Sequence, residues 1–181
     1  FPGRWFIRHW KEVGAAAQPV DLSALGSIEA VGGSKLKRTP GGVLMTPLSV
    51  DFTIHRLDTN PAVAAVFAIM ALNRTNVATG YSQIIMGGDA LVVLTAAQKD
   101  ITEELLWNET GALCPAQGNY TLSGVVSVIS TFAYDNNLGN NRVVAAGGNI
   151  EVTVLTGDLD DSGKVDIKDV FVVAKAFGQG L

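Results

Sequence analysis

Between Leu48 and Thr156 the chain is a succession of short apolar runs, most of them flanked by Gly, Asn or Pro. In order they are SVDFTIHRL, AVAAVFAIMAL, IIMGGDALVVLT, ITEELLW, NYTLSGVVSVIST and NIEVTVLT. Strands at this spacing are the mark of a β-sandwich. The first run alternates, with Val50, Phe52 and Ile54 on one face and Asp51, Thr53 and His55 on the other, the period of a half-buried strand. The second run is apolar at both parities. Its length allows a helix, and Pro61 before it and Asn73 after it bracket a fully buried strand equally well. In the fifth run Tyr120, Leu122 and Val126 share one face, and Trp107 fits beneath them as a core anchor. Twenty glycines and only two histidines suit a mainly β, antiparallel body with many turns.

The sequence divides into three stretches: an N-terminal arm over 1–47, the sandwich over 48–156, and an acidic segment over 157–181. The arm opens FPGRWFIRHW, in which Phe1, Trp5, Phe6 and Trp10 hold two of the three tryptophans of the chain. Buried aromatics remove about 150–250 Å² each from water, so such a segment is expected to pack, either on its own domain or into a neighbouring subunit. From residue 14 to 47 Gly and Pro recur too often for a helix, which leaves an extended arm or a pair of short edge strands. Phe1 rather than Met at the start is expected of a processed product, and a removed secretory signal is consistent with it.

Charge excludes one function class and hydropathy another. The net charge of −4 comes with no basic patch, which rules out a nucleic-acid footprint. No run of about 18 apolar residues exists, so no membrane span is expected. Cys114 is the one cysteine and cannot build a disulfide framework within the chain, which leaves a buried or reactive free thiol, or half of an intermolecular bridge.

The sharpest chemical signal is GDLDDSGKVDIKDVFVVAKAFG near the C-terminus. With Asp158 as position 1, oxygen donors fall at Asp158, Asp160 and Ser162, then at the backbone carbonyl of Lys164, then at Asp166 and Asp169. Gly163 stands at position 6, where the chain must turn sharply. This is the spacing of a calcium loop, in which alternate residues point inward and the last ligand comes from the start of a helix. So many carboxylates close together call for a cation, and a large all-oxygen cage suits Ca2+ better than Mg2+. Val170, Phe171, Val173, Ala174 and Phe177 then repeat at helical spacing, and Gly178 stops the helix.

Two resemblances follow from these residues. The stretch LLWNETGALCPAQGNYTLSGVVSV, with YDNNLGNNR and GGNIEVTV after it, resembles the CARDB-type immunoglobulin-like modules of archaeal and bacterial surface proteins. That implies a secreted, seven-strand, immunoglobulin-like antiparallel β-sandwich without catalysis. The segment from Gly157 to Gly178 resembles a single repeat of the dockerin family, whose loops commonly close with Asp. A dockerin has two repeats and here there is one. The positions through which family members contact cohesin are Ile167 and Lys168. A lone repeat has no twin to cover its helix, which must pack on the sandwich, on a neighbour or on a further segment.

Rival chemistries fail on spacing. Gly157 to Lys164 imitates a phosphate loop, but five residues separate the glycines instead of four, and Val165 stands where Ser or Thr must reach the metal. His9 and His55 are far apart and no nucleophile elbow occurs, so no enzyme is expected. Glu103 and Glu104 read as solvated charges. Three sequons, at Asn73, Asn108 and Asn119, lie at predicted strand ends, where N-linked glycans would project outward. The expected function is an extracellular, cell-surface structural subunit, one copy donating a terminal segment to the next to build a filament braced by calcium. The alternative is a non-catalytic module that binds carbohydrate or a scaffold.

Overall fold

The computed structural model describes residues 16–24, 28–31 and 35–178. Twelve strands occur in them: β1 (Gln18–Val20), β2 (Leu22–Ser23), β3 (Ile28–Val31), β4 (Lys35–Arg38), β5 (Leu48–Arg56), β6 (Ala65–Asn76), β7 (Ser82–Thr95), β8 (Asp100–Trp107), β9 (Gly118–Val128), β10 (Ala133–Asp135), β11 (Arg142–Val144) and β12 (Ile150–Val154). One α-helix, α1 (Ile167–Gly178), follows them. The aromatic docking residues expected at Phe1, Trp5, Phe6 and Trp10 lie outside the described residues.

The strands form a mainly antiparallel β-sandwich, with more strands than the seven expected. In one sheet β5 is central, with β2 and β3 antiparallel along one edge and β8 antiparallel along the other. The other runs β7–β6–β9, and the far edge of β9 is shared by β12 and β11. Beyond β12 lies β4, paired in parallel, so an early strand and the last one close that sheet together. A separate parallel pair, β1 with β10, completes the strands.

Alternation decides which side chains meet between the sheets. Along β5 every second residue is buried, Leu48, Val50, Phe52 and Ile54 facing inward. Across from them β6 contributes Val66, Ala68, Met70 and Leu72, and β9 contributes Tyr120, Leu122 and Val126. Trp107 is fully buried at the end of β8, its ring edge-on to Tyr120 with centroids 5.9 Å apart. The Tyr120 hydroxyl donates to the Ala116 carbonyl at 2.9 Å, which pins the start of β9. Arg74, inward-facing on β6, meets buried Glu109 at 2.6 Å, and the same carboxylate oxygen accepts the Trp107 indole N–H at 3.0 Å.

Three expectations change. The run AVAAVFAIMAL is a strand, because β7 and β9 pair with both of its edges. It is not buried on both faces, since Phe67 is 47% exposed. Residues 18–38, read as an extended arm or a pair of short edge strands, take the second form: β2 and β3 pair with β5 and β4 with β12, so the sandwich includes residues before Leu48. These strands hold two to four residues each, too few to show a period, and take their conformation from the longer edges of β5 and β12. Finally, Asn73 lies inside β6, opposite Ile84 and Ser123, not at a strand end. Asn108 and Asn119 do lie at strand ends and are exposed. No helix among the described residues is long and apolar enough to cross a membrane.

Candidate metal centre

The acidic loop grows directly out of β12. The Leu155 N–H bonds to the Arg38 carbonyl at 2.8 Å, extending the pairing with β4 by one step before the chain turns at Thr156–Gly157. Asp158 then enters fully buried. Its two carboxylate oxygens accept backbone N–H groups of Ser162 at 3.0 Å and Gly163 at 2.9 Å. Gly163, with φ of 82°, makes the sharp turn that its position in the spacing predicts.

Helix α1 starts on a reciprocal cap. Asp166 accepts the Lys168 N–H at 2.8 Å, and Asp169 reaches back to the Asp166 N–H at 2.7 Å, the arrangement of a capping box. The other oxygen of Asp169 accepts the Leu159 N–H at 2.6 Å and the Asp160 N–H at 3.3 Å. The N–H groups of Asp166 and Leu159 outweigh burial and hold the Asp169 carboxyl below the usual carboxylate range.

This folding brings Asp158, Asp160 and Asp169 together, with one ligand oxygen from each inside a mutual distance of 4.8 Å. Two of the three are buried. Among the described residues no Lys, Arg or His forms an ion pair with any of them. The donor set is all oxygen and carries like charges in a partly dry site, so it could hold a metal ion and fits a hard cation. The other predicted ligands stand differently. Asp166 is outside the triad, its carboxylate turned to the helix start, and the Ser162 hydroxyl donates to the Lys164 carbonyl at 3.3 Å.

A residue outside the predicted ligand set fastens the loop to the sandwich. Asp161, with φ of 55°, is the one non-glycine with left-handed backbone among the described residues. Its carboxylate accepts the Gly41 N–H at 2.6 Å, in the turn that follows β4. Asp tolerates this conformation and Gly41 permits the approach, so the DD pair at 160–161 and the GG pair at 41–42 were the available signals. Comparison with protein families and with curated proteins finds no match to this chain.

Proposed function

We propose that this chain is an extracellular structural subunit that joins copies of itself end to end through its terminal segments, with calcium bracing the C-terminal loop. The observation that carries this reading is how α1 is presented. Its loop is fixed to the sandwich through Asp161 and Gly41, yet Ile167, Phe171 and Phe177 are 64%, 65% and 77% exposed. An apolar helix left uncovered in water is a surface waiting for a partner. In the proposal Asp158, Asp160 and Asp169 hold calcium directly, and Ser162, the Lys164 carbonyl and Asp166 supply the remaining loop positions. The ion neutralises the triad and fixes the direction in which the helix projects. The aromatic segment bearing Phe1, Trp5, Phe6 and Trp10 is the second terminal contact, and exposed Asn108 and Asn119 carry glycans away from the joint.

Negative-stain microscopy and sedimentation of the purified chain, with calcium and with a chelator, test this. Ordered polymers are expected with calcium, shorter or no polymers with chelator, and loss of assembly on deletion of residues 1–12. A chain that stays monomeric in calcium at every concentration overturns the reading. Glycan-array binding by that monomer would favour a carbohydrate-binding module instead.

A further inference from the structure

The two outer faces of the sandwich differ in chemistry. On the β5–β8 sheet, outward residues form a polar ladder: Ser49 bonds to Glu104, Thr53 to Thr102 at 2.7 Å, and His55 to Asp100 at 2.6 Å. This is the hydrophobic-in, polar-out pattern of a sheet that faces water. On β6–β7–β9 the corresponding face carries an apolar patch at the Phe67 end, with exposed Ser127 of β9 opposite Ile69 and polar residues from Asn73 onward. Phe67 lies opposite Val93 and Ile69 opposite Leu91, and the Ile129 N–H bonds to the Phe67 carbonyl, which extends that row. Phe67, Leu91 and Ile129 are 47%, 64% and 47% exposed. Asp89 stands at the border of this patch, opposite Ala71.

The helix carries the matching surface. At about 100° per residue, Ile167, Val170, Phe171, Ala174 and Phe177 fall in one stripe, with Lys175 on its flank. Neither Lys175 nor Asp89 forms an ion pair among the described residues. Sizes agree as well. A helix of this length runs about 18 Å and is about 10 Å across. The patch is about 10 Å between its outer strand axes and is several alternating residues long.

We propose that the apolar stripe of α1 seats on the outer β6–β7–β9 face of a second copy, with Lys175 paired to Asp89. Both surfaces are open in one and the same copy, so the joining chain is another copy, not the same one. The contact is heterologous and does not close, so it extends into a fibre. It would bury on the order of 1,000 Å² in total, at the low end of specific interfaces, which suits one of two contacts at each joint. This inference rests on the end-to-end reading above and names the surface that receives the helix.

The test uses the full chain with calcium, by sedimentation over a concentration series and by negative stain. Lys175→Asp and Asp89→Lys are each expected to raise the concentration needed for assembly by about fivefold or more, and the two together to restore it. Phe171→Ser with Phe177→Ser, at exposed positions, should abolish assembly with the circular dichroism spectrum unchanged. Unaltered assembly of that double-serine variant overturns the proposal, as does failure of the charge-swapped double variant to recover. If deletion of residues 1–12 stops assembly while the helix and sheet variants assemble normally, helix seating falls and N-terminal docking stands. A wild-type chain that never assembles removes both.

Discussion

Gly41→Ala isolates the joint between the acidic loop and the sandwich. The backbone at Gly41 is outside the left-handed region, so the chain itself accepts alanine and only the close approach opposes it. A Cβ there would stand 1.9 Å from Asp161 Oδ2 and 2.5 Å from its Cγ. Asp161 is exposed and can swing aside, but reaching ordinary contact at 3.4 Å pulls its carboxylate off the Gly41 N–H now 2.6 Å away. A hydrogen bond to a charged group contributes about 1.5–3 kcal/mol when sheltered, and exposure brings this one to about 1 kcal/mol. Against that, replacing glycine by alanine restricts the unfolded chain and stabilises by about 0.4–1 kcal/mol. The two effects nearly cancel, so the single variant should unfold in denaturant close to wild type. The background Asp161→Ala separates them. There both clash and bond are gone, and Gly41→Ala should stabilise by the full ~0.4–1 kcal/mol. The coupling energy of the cycle is therefore about 1 kcal/mol. Hydrogen exchange supplies the local readout: amide protection at Gly41 and over 158–163 should fall in the single variant. Equal effects of Gly41→Ala in both backgrounds, with protection unchanged, would refute the docking.

Other perturbations probe the core, the acid response and the ion. Glu109→Ala leaves the buried Arg74 charge without its partner, and loss of about 3–5 kcal/mol is expected, roughly 10 °C or more in Tm by calorimetry. For Asp58, burial pushes the carboxyl up, but bonds from Arg56 and from the N–H groups of Asn60 and Asp21 outweigh it and hold it below its ordinary value of 3.8. Its contribution is thus whole above that value and lost as pH falls through the lower folded one. Asp58→Asn should therefore lose about 2 kcal/mol at neutral pH and converge on wild type in acid, read from urea unfolding across pH. Burial raises the Cys114 thiol above its usual range, so labelling by a thiol reagent at neutral pH should be slow until the chain unfolds. Calcium at a hundredfold excess over its Kd should stabilise by about 2.7 kcal/mol, roughly 5–10 °C in Tm, and Asp158→Asn should abolish the shift.

What could be read from residues alone follows the range of the forces involved. Strict alternation in β5 needs only one chain segment to be legible, and the acidic loop is legible because its ligands lie within twelve consecutive residues. Trp107 and Tyr120 were readable as core for their size. The identity of β6 was not, since an apolar run of both parities satisfies helix and strand alike until two partner strands claim its edges. The choice between extended arm and short edge strands over β2, β3 and β4 stayed open for a related reason: two to four residues hold no period, and their partners lie at Leu48–Arg56 and Ile150–Val154. The middle residues of two sequons, Arg74 and Glu109, turned out to be the buried ion pair. Thirty-five positions separate them, and no local pattern ties a charge to so distant a partner.

The same distinction bears on what calcium can do. Asp169 is at once a member of the triad and the residue that caps the Asp166 N–H, and Asp166 caps Lys168 in return. The start of α1 is therefore closed by bonds internal to the chain, independent of any ion. Asp160, by contrast, is an exposed member of the triad, and its carboxylate is bonded to the Ser162 N–H at 3.1 Å, another residue of the same short turn. Electrostatic repulsion among the three carboxylates thus acts on the loop more than on the helix. An ion would act chiefly on residues 158–163, drawing the loop against the turn at Gly41 and so setting the angle at which an already formed helix leaves the sandwich. In the proposed subunit, joined through that helix, a bound metal would control the geometry of the joint without having to fold the element that makes the contact.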